Sequence, residues 1–164
     1  VLKNIFLIGI IGTGKSTIGK LLSKDLDLNF IDTDKQIEKH FNMPINNIFD
    51  QHGEPSFRKI ESRVLQKVTE SIVACGGGIV VKKENRDFIK LNGTSLLLNS
   101  KINLLEKRLK DSSNRPLLND NDLKKQLEKI WNERKDLYFS LADHIIDINS
   151  KTKTQIVDQI IGIL

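Results

Sequence analysis

Cysteine, aromatic residues and long apolar runs are scarce in this chain, and each shortage excludes a class of protein. A single cysteine, Cys75, among 164 residues excludes an internal disulfide and a multi-cysteine zinc site, and it is typical of a reducing compartment. No apolar stretch approaches the roughly 20 residues that cross a bilayer, so we expect no membrane partner. Aromatic residues make up 5% of the chain, which leaves few platforms for stacking bases.

Strong clustering of charge is also lacking. The net charge is +5, but the basic residues are scattered rather than gathered into a stripe, so we expect no nucleic-acid partner. A basic chain of this kind suits small anionic substrates, which need cations in a cleft. The length predicts one domain, 1–164. The first apolar run lacks the basic leader and small-residue cleavage site of a signal peptide, so we expect a cytoplasmic location. We also expect a single domain of this kind to be a monomer.

The strongest positive signal is the glycine-rich loop Gly9–Ser16, which reads Gly-Ile-Ile-Gly-Thr-Gly-Lys-Ser. It follows the apolar run Ile5–Ile8 and precedes a helical pattern, which is the context of a phosphate cradle. Glycines let successive N–H groups face a phosphate chain, and the helix N-terminus adds partial positive charge. In this motif Lys15 reaches the β- and γ-phosphates and the Ser16 hydroxyl ligates Mg²⁺.

Apolar runs alternate with helical patterns along the chain, which predicts an α/β fold with a parallel sheet covered on both faces. Ligands of such sheets bind at the carboxyl ends of the strands, where every motif below begins. The predicted strands are Ile5–Ile8, Asn29–Ile31, Ile72–Ala74, Ser95–Leu98 and His144–Ile146. The predicted helices are Ser16–Leu26, Lys35–Phe41 with Asp34 as its cap, Gly53–Glu70, Lys83–Leu91, a stripe over Leu123–Leu141, and Gln155–Leu164.

Two clusters of charged residues have both a functional and a structural interpretation. Asp32 and Asp34 follow the second strand; one would hold Mg²⁺ through water and the other would accept a proton, or both merely cap the next helix. Arg58 either forks onto a substrate carboxylate or pairs with Glu61 on the surface.

Two further segments also have both a functional and a structural interpretation. Gly76–Gly78 either lets the backbone approach a ligand closely or forms a flexible turn. The polar segment Asp111–Asp122 is interpreted as a mobile lid. Its Arg115 either stabilises a transferring phosphoryl group or is a solvated loop charge. Cys75 is interpreted as a small buried residue rather than a nucleophile.

Taken in order, these segments resemble the motifs of the shikimate kinase family over nearly the whole chain. The glycine loop alone is shared by many kinases, whereas the ordered set is highly specific. The matching motifs are the loop Gly9–Thr17, the Asp-Thr-Asp triplet Asp32–Asp34, Ile48–Arg58, the glycine turn Gly76–Gly78, Glu84–Arg86, Arg115–Leu118 and Arg134–Tyr138.

The resemblance implies a fold and an activity. The fold would be a nucleoside monophosphate kinase-like α/β/α sandwich with a phosphate loop, a five-stranded parallel sheet, a substrate segment at about 33–61 and a lid at about 111–122. The activity would be transfer of a phosphoryl group from ATP, with Mg²⁺, to the 3-hydroxyl of shikimate. That reaction is the fifth step of chorismate and aromatic amino-acid biosynthesis.

The resemblance also implies a role for particular residues. Lys15, Asp34 and Arg115 would be catalytic, with Asp34 as base or orienting group. Nucleotide would be bound by Gly12, Thr13, Gly14, Lys15, Ser16, Thr17, Arg108 and Arg115, and Mg²⁺ by Ser16 and Asp32. Shikimate would be bound by Asp34, Phe49, Phe57, Arg58, Gly76, Gly77, Gly78 and Arg134.

The chain departs from the family pattern at three positions. Asn42 replaces a usual glycine, Ile148 replaces a frequent threonine, and Ile11 replaces a common methionine in the phosphate loop. The first two would affect the hinge of the substrate segment or nucleotide affinity. Two other functions are compatible with the glycine loop: a different small-metabolite kinase such as a gluconate kinase, and a nucleotide-binding module that has lost catalysis.

Overall fold

The computed structural model describes residues 3–112 and 120–164. One parallel sheet carries the strands in the order β2-β3-β1-β4-β5. The strands are β1 (Asn4–Ile8), β2 (Asn29–Asp32), β3 (Ser71–Ala74), β4 (Gly93–Asn99) and β5 (His144–Asp147). The sequence predicted all five strands, and each observed strand is longer than its prediction by one to three residues.

Helices cover both faces of this sheet. They are α1 (Lys15–Leu26), α2 (Thr33–Phe41), α3 (Ile45–Leu65), α4 (Lys83–Asn92), α5 (Ile102–Asp111), α6 (Asp120–Leu141) and α7 (Lys153–Ile163). A short 3-10 helix occupies Gly77–Val80. Among the described residues, no helix is both long and apolar enough to cross a membrane.

The pleat of β1 explains the three layers. Successive side chains point to opposite faces of a strand. Phe6 and Ile8 therefore join the core beneath α4, α5 and α6, whereas Ile5 and Leu7 join the core beneath α1 and α7. All four side chains are buried, so the continuous apolar run in the sequence is that of a central strand covered on both sides.

The segment between β2 and β3 forms a smaller body beside the sheet. Its helices α2 and α3 pack on each other around Ile37, Ile48, Phe57 and Ile60. Gly53 interrupts α3 with φ 77° and ψ 165°, so the second half of α3 starts near Pro55, as predicted. The predicted end of this helix at Glu70 is wrong, because α3 ends at Leu65 and Glu70 takes a positive φ of 44° before β3.

Candidate active site

The phosphate loop joins β1 to α1. Gly9, Gly12 and Gly14 take φ values of 143°, 89° and 87°, a region that favours glycine because it has no Cβ. Lys15 folds over the loop, and its Nζ donates hydrogen bonds to the carbonyls of Gly9 (2.7 Å) and Ile10 (3.1 Å). The loop therefore has the conformation of a phosphate cradle, with an ammonium group at its mouth.

Ser16 and Asp32 meet beside this loop. The Ser16 hydroxyl donates to Asp32 Oδ2 at 2.5 Å, and Asp32 Oδ1 accepts from the Lys35 amide at 3.1 Å. Asp32 is therefore the N-cap of α2. The prediction that Asp34 caps this helix is wrong: α2 begins at Thr33, because the Asp32 side chain reaches the free amide three residues ahead.

The same pair of side chains fits a magnesium ion. Mg²⁺ is usually held by one or two protein oxygens together with substrate phosphates and water. Ser16 and Asp32 offer a hydroxyl and a carboxylate next to the cradle. Within residues 3–112 and 120–164 no group of three or more His, Cys, Asp or Glu side chains forms a metal cage, so the donor set suits an ion that arrives with the phosphates.

Asp34 lies in the first turn of α2 and packs against the glycine turn. A Cβ on Gly76 would overlap Asp34 Oδ1, so only glycine leaves room for this carboxylate. Burial raises the pKa of Asp34, and the charge of Asp32 adds to the rise, whereas Lys15 and Arg58 oppose it. The neighbouring Thr33 hydroxyl accepts a 2.8 Å hydrogen bond from the Gly76 amide. Asp34 is thus held in place, with a pKa shifted toward that of an effective base.

Arg58 and Glu61 form a pair in the interior of the protein. Arg58 Nη1 donates to both Glu61 oxygens, at 3.1 and 2.9 Å, and Arg58 Nε donates to Glu54 at 3.3 Å. Glu61 is fully buried and Arg58 is 8% exposed. Burial raises the pKa of Glu61, although Arg58 lowers it in part. The pair foreseen on the surface therefore exists, but it is buried, and Arg58 Nη2 makes none of these three bonds.

The glycine turn lies beside each of these groups. A Cβ on Gly78 would collide with the Arg58 guanidinium, and a Cβ on Gly77 would lie 3.7 Å from Arg134 Nη1 and 3.6 Å from the Ile11 amide. The turn is therefore not a flexible connection. It is a surface of bare backbone between the phosphate loop, Asp34 and two arginines.

The Glu84–Arg86 segment stabilises the end of this turn through side-chain hydrogen bonds. Asn85 Nδ2 donates to the Ile79 carbonyl at 3.1 Å. Arg86 Nη1 donates to the carbonyls of Val80 and Val81 at 2.7 and 3.1 Å. These side chains satisfy the last carbonyls of the 3-10 helix, which gives the motif a structural reason.

Arg134 reaches the site from α6, half-buried beside the apolar stripe, as predicted. One turn later, the Tyr138 hydroxyl donates to the Gly77 carbonyl. The ring centroids of Phe49 and Phe57 lie 4.6 Å apart, and the Phe57 ring also lies under the Arg58 guanidinium. The two phenylalanines therefore form an apolar wall next to the buried cation.

A second cleft lies on the outer side of the phosphate loop. It has a volume of about 240 Å³ and is lined by Gly12, Thr13, Gly14, Thr17, Ile18, Arg108, Lys151, Lys153 and Ile156. Arg108 Nη1 donates to the Gly12 carbonyl at 3.4 Å. The cleft thus holds most of the residues predicted to bind nucleotide.

Several residues at these two sites had no predicted role. Glu61 was considered only as an alternative partner of Arg58, and nothing in its spacing showed that it is buried. Thr33 and Tyr138 lie within recognised motifs, so the motifs themselves were the available signal. Lys151 and Lys153 follow the last strand, which was a usable clue. Arg115 and most of the segment 111–122 lie outside the described residues.

Comparison with known proteins gives a consistent result. A family model described as shikimate kinase matches residues 11–164. A shikimate kinase of Francisella tularensis subsp. holarctica is 41% identical over 162 residues, which are 96% of this chain and 92% of that protein. A shikimate kinase of Caldanaerobacter subterraneus is 36% identical over 98% of this chain and 95% of its own length.

A solved structure agrees with these matches. Shikimate kinase from Acinetobacter baumannii in complex with shikimate superposes with a TM-score of 0.91 at 31% identity, covering 99% of this chain and 93% of the other.

Proposed function

The chain belongs to the shikimate kinase family, and from that premise we propose which of its residues perform the reaction. It is an enzyme that transfers a phosphoryl group from ATP to the 3-hydroxyl of shikimate, yielding shikimate 3-phosphate and ADP in chorismate and aromatic amino-acid biosynthesis. The proposal is supported above all by one observation: a Cβ added to the bare turn Gly76–Gly78 would lie within 4 Å of the phosphate loop, Asp34, Arg58 or Arg134, so the turn lies beside all four.

The acceptor would bind over this turn. Arg58 and Arg134 supply two cations for the carboxylate of shikimate, and the N–H groups of Gly77 and Gly78 face its hydroxyls. The Glu54 contact to Arg58 Nε is long, and the Glu54 side chain is 59% exposed. A substrate carboxylate would therefore displace Glu54 at little cost, whereas the buried Glu61 would stay and fix the guanidinium plane. Phe49 and Phe57 would form the wall beside the ring.

Asp34 would accept or orient the proton of the reacting hydroxyl. Its pKa is raised by burial, so its carboxylate binds a proton more readily than an exposed aspartate would. Lys15 donates to the loop carbonyls, and its charge lowers the same pKa. It would move from the loop carbonyls to the transferring phosphoryl group, whose negative charge it stabilises. Arg115 is proposed as a second cation there.

The nucleotide would occupy the loop and the outer cleft. The loop residues from Gly12 to Thr17 would hold the phosphates, and Arg108 would stack on the adenine from its place beside Gly12. Ser16 and Asp32 would bind Mg²⁺, which neutralises charge on the phosphates when it is bound. The oxygen atoms of this pair already lie together.

We also propose the wider context of the enzyme. It would act as a monomeric kinase domain over 1–164, with an acceptor segment at about 33–61 and a lid at about 111–122. Its lone cysteine, whose thiol pKa is raised by burial, takes no part in the reaction. A cytoplasmic location would fit a reduced cysteine and a reaction that consumes ATP.

ADP release from Mg-ATP tests the function directly, with shikimate in one assay and gluconate in a parallel one. We expect turnover that requires shikimate. Turnover on gluconate alone would refute the proposed acceptor site, and bound ATP without turnover on either compound would favour a module that has lost catalysis.

A further inference from the structure

Tyr138 is a buried polar side chain that the roles above do not use. It is 0% exposed, and its hydroxyl donates to the Gly77 carbonyl. Burial raises the pKa of this phenol to about 12, so the hydroxyl keeps its proton at any working pH. The hydroxyl is therefore a hydrogen-bond donor to the turn on which the acceptor would lie.

The geometry of the peptide unit gives this bond its consequence. The Gly77 carbonyl and the Gly78 N–H belong to one planar trans peptide, so they point in opposite directions. A partner that fixes the carbonyl therefore also fixes the direction of the N–H. Gly78 lies in the first turn of the 3-10 helix, where N–H groups have no partner within the helix.

A turn of three glycines needs such a constraint. Glycine backbone is more permissive than that of any other residue, and Gly76–Gly78 has no side chains with which to pack. The carbonyls later in this segment are held by Asn85 and Arg86. Tyr138 supplies a side-chain hydrogen bond at Gly77 itself.

Tyr138 is in turn held rigidly by α6. Its ring stacks on Trp131, with centroids 6.1 Å apart and planes 20° apart. It follows Arg134 by one helical turn, and the Arg134 guanidinium is close enough to lower the Tyr138 pKa in part. One helix therefore presents a cation above the turn and a hydroxyl against its carbonyl, in fixed register.

We propose that Tyr138 is a positioning residue for the acceptor, whose hydroxyl aims the Gly78 N–H at the bound substrate. It would act through the backbone of the turn and touch neither substrate. The proposal rests on the proposed function, which assigns Gly78 to shikimate binding.

Tyr138→Phe removes only the hydroxyl and tests the proposal by steady-state kinetics. We expect the KM for shikimate to rise about 5- to 30-fold, as loss of one aimed hydrogen bond implies, while the KM for ATP stays within about twofold. Ser140→Ala is the matched control, because it removes an exposed hydroxyl from the same helix. We expect it to leave both constants unchanged.

A second measurement separates positioning from general stabilisation. In protein labelled with ¹⁵N-glycine, shikimate should shift the Gly78 amide resonance of the wild type, and this shift should shrink in Tyr138→Phe. A variant with a lowered Tm but normal shikimate KM and a normal Gly78 shift would overturn the proposal. Absence of shikimate turnover in the wild type would instead refute the proposed function.

The chain offers a test even if the variant does not fold. Tyr138 is the sole tyrosine, so growth on 3-fluorotyrosine labels this position alone and keeps the hydroxyl. We expect the ¹⁹F resonance to move when shikimate is added alone and to stay in place when Mg-ATP is added alone. A resonance that shikimate does not move would overturn the proposal.

Discussion

Replacement of Arg58 by alanine would expose two functions of one side chain, binding and stability. Glu61 is fully buried and both of its carboxylate oxygens accept from Arg58 Nη1. Loss of one partner from a buried ion pair costs about 3–5 kcal/mol, because a charge remains without compensation. We expect Arg58→Ala to lose about this much free energy of unfolding at neutral pH, in addition to about 2–4 kcal/mol of shikimate binding.

The loss of stability should depend on pH with a definite sign. Burial already raises the pKa of Glu61, and Arg58 opposes the rise, so its removal raises the pKa further. A carboxyl whose pKa is higher in the folded state binds more protons when folded, and its contribution to stability therefore improves as the pH falls. We expect Arg58→Ala to regain stability as the pH falls from neutral toward the ordinary glutamate pKa of 4.5, and the double variant with Glu61→Gln to lose that dependence.

Urea unfolding followed by fluorescence measures these effects, since Trp131 is the only tryptophan and packs on Tyr138. Arg63→Ala is the matched control, because Arg63 is an exposed arginine on the same helix, and it should change stability by at most about 0.5 kcal/mol. If Arg58→Ala unfolds at the same urea concentration as Arg63→Ala at every pH, the reasoning about a buried pair is refuted.

Three further predictions follow from the same geometry. Asp34→Asn should lower kcat by roughly two to four orders of magnitude. It should also raise the urea midpoint of unfolding at pH 7, because burial raises the pKa of the native carboxyl and its charged form opposes folding. In the wild type, kcat should fall with acid at a pH above the ordinary aspartate pKa of 3.8, and an acid limb at or below 3.8 would argue against Asp34 as base. Gly78→Ala should raise the KM for shikimate by about tenfold or more and leave the KM for ATP unchanged, because a Cβ there collides with Arg58. Gly162→Ala is the control, because nothing lies within 4 Å of a Cβ there; it should leave both constants unchanged and add about 0.5–1 kcal/mol of stability. Equal kinetics in the two variants would contradict the collision. Asn42 follows the last residue of α2 with a positive φ of 52°, which asparagine and glycine tolerate better than alanine. Asn42→Ala should therefore destabilise the protein by about 1 kcal/mol in thermal unfolding, whereas Asn42→Gly should be nearly neutral. An alanine variant as stable as the wild type would contradict this prediction.

The sheet could be predicted closely because its information is local. The central strands β1, β3 and most of β4 are short apolar runs that are buried on both sides. The motifs Asp32–Asp34 and Gly76–Gly78 begin at or just after the ends of β2 and β3. The placement of Ile148 is also intelligible in retrospect. It is fully buried beneath α7, where an apolar side chain serves the core.

The predictions that were wrong or incomplete concern features that depend on tertiary structure. The first half of α3 has few apolar residues, and its helical state depends on packing against α2. Asp32 rather than Asp34 caps α2, because β2 continues one residue further than its apolar run. Burial of Glu61 depends on tertiary packing, and even the charge of Arg134, far along the chain on α6, acts on its pKa. The periodicity of the sequence contains no information about such long-range proximity.

The strand order has a consequence for how such an enzyme can change its substrate. Most residues assigned to the acceptor lie at the ends of β2 and β3 or on the connection between them, whereas most residues assigned to the nucleotide lie after β1 or beyond β4. Arg134 on α6 is the exception, because it reaches the glycine turn from beyond β4. Neighbouring strands are about 4.8 Å apart, so the two ligand sites would adjoin where β3 pairs with β1. A new acceptor specificity could therefore arise largely in the connection between β2 and β3 while the phosphate loop is inherited unchanged.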